Sequence, residues 1–402
     1  MSLVKSTTTI AGSSVISQLI GAGAIWLISN KYGMAEVGTY ALIYSIALIG
    51  SQICTYATHF LLPKQEESQL YQNIVYCCLQ SAIVSLPFAL VVSLGFDLSF
   101  GFIYALTLAY GLLLISENLL LRDEKVIHLA CQRMSVSVVV VGSLIITNSE
   151  ETFYWVWAVV LLINATSWIL YSVKLSNLSP GLFSYRSNCE FFLQNKAHIT
   201  KVGSAEVLAM ASANLPTILV NLWFSSLTAG YFAVVTRFCL SPVNIVGNAV
   251  RNSIFSRWSL DFRNNRFNLD EYKKTRKLLL ALALLAVVGI LVFYPLVMNQ
   301  FFSEEWQSSI PTSRYMLPYM FIALAISPLT VIELVFGDPK YFLRIQVEQL
   351  AIVLIAFAAL PYWHLDYSAS VMTYALLSFI RYLFIYHRMN KLADNLAKDK
   401  SC

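Results

Sequence analysis

Apolar residues in this chain gather into runs of about 20, each bounded by charged or turn-forming residues, and a run of that length crosses a bilayer as a helix. On this pattern spans are predicted at about 7–29, 35–58, 72–94, 98–120, 127–147, 153–174, 202–224, 229–254, 278–300, 312–336, 341–362 and 367–387. The fifth carries Gln132 and Arg133 within it, and the eleventh carries Arg344, Gln346, Glu348 and Gln349 in its first turns. The longest polar stretch, about 175–201, separates the spans into two groups of six. The predicted organisation is a six-helix bundle over 1–174, a cytoplasmic linker over 175–201, and a second six-helix bundle over 202–402 that ends in a short cytoplasmic tail.

Composition agrees with the pattern. Hydrophobic residues make up 57% of the 402 positions and charged residues only 12%, with a mean hydropathy of +0.65. A soluble domain would carry roughly 25% charged residues. Twelve spans leave short loops, so a cytosolic enzyme, a nucleic-acid-binding module and a secreted disulfide scaffold are excluded. The seven cysteines lie in apolar or cytoplasmic segments and read as packing residues. The first ten residues, Met1 to Ile10, lack a signal-peptide pattern and read as the start of a retained span.

The net charge of +5 matters through its placement. With the amino terminus inside, Lys31 and Arg314 alone hold or border the odd-numbered loops, while the termini and even-numbered loops take the basic residues from Lys5 and Lys64 to Lys398 and Lys400. That bias fits both termini in the cytoplasm. Trp26, Trp155, Trp223, Trp258 and Trp363 fall near span ends, where amphipathic rings prefer the headgroup level. The basic loop at about 255–277, with Arg257, Arg263, Arg266 and the run Lys273-Lys274-Thr275-Arg276-Lys277, reads as charge held near anionic lipid, with a substrate-binding role as the alternative.

Each half opens its second helix on a related sequence, Gly38-Thr39-Tyr40-Ala41 and Gly230-Tyr231-Phe232-Ala233, a weak internal repeat. In the eighth span Arg237, Ser241, Asn244, Asn248 and Arg251 recur at helical spacing and predict one polar stripe. A single Arg near the bilayer centre costs from about 2.5 kcal/mol upward against lipid, so the stripe should face a water-filled cavity or a polar helix. Pro242 within it is a predicted kink, as is Pro216 in the seventh span, which also offers Glu206, Asn214, Thr217 and Asn221. Thr7, Ser14, Gln18 and Gly21 give the first span a milder stripe.

These residues predict a central cavity between two bundles, with Arg237, Arg251, Ser241, Asn244, Asn248, Asn214 and Gln18 as candidate substrate contacts and Glu206 as a proton or cation site. The alternative is that the same groups glue helices together. Arg133, Glu117, Glu333, Glu348 and Arg381 lie within or at the ends of spans, where structural pairing is expected. There is no Gly-x-x-x-x-Gly-Lys phosphate loop, no His-Glu-x-x-His and no Cys-x-x-Cys, so neither a catalytic centre, a metal site nor a cofactor is predicted.

The stretch Asn30-Lys31-Tyr32-Gly33-Met34-Ala35-Glu36-Val37-Gly38-Thr39-Tyr40-Ala41, the stretch Leu61-Leu62-Pro63-Lys64-Gln65-Glu66-Glu67, and Ala229-Gly230-Tyr231-Phe232-Ala233 followed by Arg237 and Ser241-Pro242 resemble the bacterial Wzx-type repeat-unit flippases of the polysaccharide-exporter group, in the MOP superfamily. The resemblance implies an all-α integral membrane protein of the inner membrane, with about twelve transmembrane helices in two six-helix halves around a central cavity. Such a protein moves an undecaprenyl-pyrophosphate-linked oligosaccharide, an O-antigen, capsule or exopolysaccharide unit, from the cytoplasmic to the periplasmic leaflet by alternating access. It also implies that Arg237 and Arg251 attract pyrophosphate or acidic sugars, that Glu206 couples a proton or sodium gradient, and that a polysaccharide polymerase and a chain-length regulator are partners. Two other readings stay open, a drug or small-metabolite antiporter of the same superfamily and a membrane-embedded glycan polymerase or transferase.

Overall fold

The computed structural model describes residues 3–123, 125–263, 266–337 and 339–399, together with most of their side chains; those of Thr7 and Ser14 lie outside the described set. The described residues are helical with no strand, in the order α1 (Leu3–Tyr32), α2 (Met34–Thr55), α3 (Glu67–Phe96), α4 (Phe100–Arg122), α5 (Val126–Ile146), α6 (Glu150–Ser172) and α7 (Tyr185–Trp223). They continue through α8 (Ser226–Val235), α9 (Ser241–Arg263), α10 (Leu269–Phe301), α11 (Glu304–Gln307), α12 (Ile310–Tyr315), α13 (Leu317–Ala325), α14 (Val331–Val335), α15 (Pro339–Leu354), α16 (Leu360–Tyr362) and α17 (Tyr367–Asp399). Among the described residues, ten helical stretches are long and apolar enough to cross a membrane. α1, some of whose side chains are undescribed, is not among them, nor is the tenth predicted span.

The tenth span differs from a simple rod. Over 312–336 the chain forms α12, α13, a 3₁₀ turn at Ser327–Thr330 and α14. Pro318 opens α13, and Pro328 brings no N–H into the turn that it helps form. Two further helices contain π turns: Thr236–Leu240 joins α8 to α9, and Ile355–Ala359 joins α15 to α16. The polar stretch before the seventh span is largely ordered into short turns at Leu175–Asn177 and Pro180–Phe183, after which α7 starts at Tyr185 and continues through Pro216.

Two compact units emerge from the contacts, Met1–Tyr32 with Leu42–Asn214, and Gly33–Ala41 with Leu215–Cys402. In the first, α1 packs along α5, and α4 lies between α3 and α6. Where α2, α3 and α4 meet, small groups permit close approach: a Cβ on Gly111 would stand 3.5 Å from the Ser81 hydroxyl and 3.6 Å from the Thr55 methyl. The Oγ atoms of Ser81 and Thr107 are buried there without a hydrogen-bond partner. At the end of α2 the backbone turns left-handed at Tyr56 (φ 40) and Ala57 (φ 59) and enters a 3₁₀ turn at Thr58–Lys64, which Arg122 ties down by donating to the carbonyls of Leu62 (3.1 Å) and Gln65 (2.6 Å). His59 in this turn is fully buried, and loss of hydration lowers its pKa to about 4.

In the second unit α10 packs along α13, which also contacts α9 and α17. A core of Trp258, Tyr272, Leu279, Ile322, Ile332 and Met389 fills its predicted cytoplasmic side. The opening of α2 belongs to this unit and crosses α8 at glycine. A Cβ on Gly38 would lie 1.7 Å from the Ser226 carbonyl oxygen, and one on Gly230 would lie 2.4 Å from that of Met34. Each glycine thus abuts the residue four positions before the other, so the repeat seen in the sequence is a pseudo-symmetric backbone contact that no side chain could enter. Gly33 (φ +94) makes the left-handed turn that ends α1.

Candidate functional site

The polar stripe of the eighth span begins on a capped helix. Ser225 accepts a hydrogen bond from the Thr228 N–H (3.0 Å) and so satisfies one of the free donors at the start of α8. The stripe is then divided by the π turn, where the Ser241 N–H donates to the Thr236 carbonyl. A π turn inserts one extra residue, and about 100° of rotation per residue carries the side chains before it out of register with those after it. Pro242 stands directly after the turn. Such insertions in α-helices occur frequently at functional sites.

Beyond the turn, Asn244, Asn248 and Arg251 share one face of α9 with Gly247. They line a pocket of about 30 Å³ opposite Ala323 of α13 and the broken segment at Ser327 and Pro328. Gly247 packs against this segment, where an added Cβ would make ordinary van der Waals contact with the Ala323 carbonyl oxygen at 3.6 Å. Tyr382 of α17 stands near Ser327 and Arg251. The lining therefore offers amides, a hydroxyl and a guanidinium, and no carboxylate. This set suits a phosphate, a carboxylate or sugar hydroxyls. A water needs roughly 10–15 Å³, so in this state the pocket has room for little more than water and must widen to admit a headgroup.

Arg237 and Ser241 do not line that pocket. Arg237 lies within the π turn, half-buried, and its Nε is buried without a hydrogen-bond partner. A guanidinium cannot be neutralised by pH, so its buried donor wants an acceptor. Gln18 on α1 is half-buried, with its side-chain oxygen unpartnered. Asn214 on α7 turns its amide back to its own helix, donating to the Met210 carbonyl at 3.0 Å. Glu206 is half-buried on the same helix. Pro216 and Pro242 both lie within spans, the first inside α7 and the second at the start of α9.

The other intramembrane charges are paired as expected. Arg133 bridges to Glu117, and Arg381 to Glu348, which also takes Arg344 at 2.7 Å. Glu333, 2% exposed in its side chain, accepts from Arg388 at 2.8 Å, and the Arg388 guanidinium stacks 3.5 Å from the Tyr341 ring centroid. The break in the tenth span and the two π turns were not expected from the hydrophobic pattern. Pro318 and the Ser327-Pro328 pair were the available signal for the break; no residue pattern announces a π turn.

No protein-family model matches this chain, and no curated protein matches it in sequence. Solved structures do match in fold. A lipid II flippase, MurJ, in an inward closed conformation superposes with a TM-score of 0.72 at 12% identity, covering 97% of this chain and 91% of that one. The fold is that of the MOP-superfamily transporters. An inward-facing MATE-family multidrug resistance transporter of that superfamily matches with a TM-score of 0.63 at 14% identity, over 99% of this chain and 96% of that one. The MATE multidrug transporter DinF-BH matches with a TM-score of 0.63 at 14% identity, over 98% and 97%. A MOP fold of about twelve helices accounts for the tenth predicted span, which is retained in α12–α14 although it is no single rod.

Proposed function

We propose that this protein is a flippase that carries an undecaprenyl-pyrophosphate-linked oligosaccharide from the cytoplasmic to the periplasmic leaflet of a bacterial inner membrane by alternating access, with both termini in the cytoplasm. The observation that carries the reading is the chemistry of the α9 face. Asn244, Asn248, Arg251 and Ser327 surround a pocket with no carboxylate, and Arg237 adds a second guanidinium with a buried, unpartnered Nε. Guanidinium groups bind phosphate oxygens in a two-pronged geometry, and the amides suit sugar hydroxyls. A carrier of organic cations would be served by carboxylates instead, and α1 contains none.

In this reading Arg237 and Arg251 take the pyrophosphate or an acidic sugar, Ser241, Asn244, Asn248, Asn214 and Gln18 meet hydroxyl groups, Pro216 and Pro242 allow the spans to bend, and Glu206 couples a proton or sodium ion. A polysaccharide polymerase and a chain-length regulator act after it in the export route. Arg237→Ala tests the assignment: surface polysaccharide should be lost while the protein stays inserted and abundant, and normal export in that variant contradicts the role. A second reading, a drug or small-metabolite antiporter, is favoured by the MATE likeness over nearly the whole chain and by Glu206. It predicts efflux that needs Glu206 and no effect on any glycan.

A further inference from the structure

The π turn of the eighth span separates two guanidiniums that the α-helical period would align. On an unbroken α-helix Arg237, Ser241, Asn244, Asn248 and Arg251 fall within an arc of about 80°, at about 100° per residue. In the structure Asn244, Asn248 and Arg251 keep that arc and line the pocket, whereas Arg237, on the far side of the inserted residue, does not. One residue of rotation, about 100°, is what separates Arg237 from the pocket face.

Each of the two registers leaves one group unsatisfied. In the π register of this structure the Arg237 Nε is buried without a hydrogen-bond partner, and a guanidinium has no neutral form into which to escape. In an α register Pro242 would bring no N–H to the Phe238 carbonyl and would press its ring against it. The π turn, closed by the Ser241 N–H on the Thr236 carbonyl, stands directly before that ring and opens the ladder where the collision would fall. With a defect on either side, neither register lies far below the other. The π register has one further support, since Phe238 meets the rings of Phe302 and Trp306 edge-on, with centroids 6.2 and 5.8 Å away, and Trp306 is buried.

We infer that the turn at 236–240 switches between π and α registers, and that the α register completes the anion site by rotating Arg237 onto the face of Asn244, Asn248 and Arg251. The inference rests on the flippase reading for the cargo and adds how the site assembles. In the α register the two guanidiniums share one face, with Arg237 about 10 Å along the helix from Asn244. A pyrophosphate gives the Arg237 Nε the acceptor that it lacks in the π register, so it binds the α register more tightly and draws the turn toward it. Without an anion, the contact of Phe238 with Trp306 returns the turn to π. The same rotation takes Phe238 out of its aromatic contacts, so anion binding loosens α11, which carries Trp306 in the predicted outer loop after the ninth span.

The test is fluorine NMR of the whole protein in lipid nanodiscs, with 4-trifluoromethylphenylalanine in place of Phe238. Between Phe302 and Trp306 the label feels both ring currents, so each register gives its own resonance, and Phe302→Leu should move the main one. Pro242→Ala restores the missing N–H and should raise the ratio of the second resonance to the first at least about tenfold. Undecaprenyl pyrophosphate should raise it severalfold in the wild type and leave it unchanged in Arg237→Ala. A single resonance that neither Pro242→Ala nor undecaprenyl pyrophosphate alters overturns the switch. So does a main resonance that Phe302→Leu leaves in place, because Phe238 then lies outside the aromatic contacts. If Pro242→Ala brings up the second resonance and undecaprenyl pyrophosphate changes nothing, the switch stands and the flippase reading loses its anion contact.

Discussion

In the first unit, α3, α4, α5 and α6 run unbroken from cap to cap, and where α2, α3 and α4 meet the buried polar groups are small and neutral, Ser81 and Thr107 among them. In the second unit, breaks in the helices lie beside charged groups. A π turn holds Arg237, a 3₁₀ turn faces Arg251, and Glu333 is buried against Arg388. Regular helices satisfy their own backbone and need only close packing to bury a hydroxyl. Interrupted ones free backbone groups that must be satisfied by neighbours or by water, and this is tolerated at membrane depth only inside protein or beside a cavity. The contrast is one of regular, closely packed helices in the first unit and, in the second, helix breaks that lie beside amide and charged groups.

The largest expected effect breaks the contrast at its glycines. Gly38→Leu puts a side chain where the Ser226 carbonyl stands 1.7 Å away, whereas Gly142→Leu on α5 enters open space. The first should abolish insertion of folded protein, measured as monodisperse yield in detergent, and the second should leave it near normal. Comparable yields would mean that the α2–α8 crossing is not held by glycine contact. Next in size, Arg388→Ala removes the guanidinium that pairs with the buried Glu333 carboxylate and should destabilise the second unit by about 3 kcal/mol. A thermal melt unchanged from wild type would show that this pair contributes nothing net.

The buried histidine of the first unit gives an effect with a definite sign. The folded pKa of His59, lowered to about 4, lies below the ordinary 6.5, so in the window between them the unfolded chain binds the extra proton. Stability is therefore full above about pH 6.5 and falls as the pH drops toward 4, by on the order of 3 kcal/mol. His59→Phe should flatten that part of the pH profile of the melting temperature, and an unaltered profile would locate the acid sensitivity elsewhere. Smallest of all, Thr107→Val replaces a buried hydroxyl without a partner by a methyl and should be neutral or stabilising by up to about 1 kcal/mol. A clear loss of stability or export would give this hydroxyl a role that packing does not explain.

Much of this architecture was legible in the sequence because a bilayer imposes one period and one length. Eleven of the twelve predicted spans fall on helical segments, although α7 and α10 begin well before, and α17 ends well after, the predicted bounds, because polar helical turns extend past the apolar run; Gly33 marked the turn that ends the first. The pairing of Arg133, Glu333, Glu348 and Arg381 could be expected from the cost of a lone charge in hydrocarbon. Register within the eighth span could not, because the spacing of Arg237, Ser241 and Asn244 was read on an uninterrupted α-helix and the π turn adds a residue between them. The Gly38–Gly230 repeat was visible as similarity, but its meaning is a contact between segments 192 positions apart, which no local pattern encodes.

The central claim is that this chain moves a lipid-linked saccharide between leaflets. Its most direct test is the leaflet distribution of lipid-linked oligosaccharide in cells with and without the protein. The account predicts that loss of the protein strands the saccharide on the cytoplasmic leaflet and that re-expression of the wild-type chain, but not of Arg237→Ala, restores it to the outer one. An unchanged distribution contradicts the claim and leaves the antiporter reading in its place.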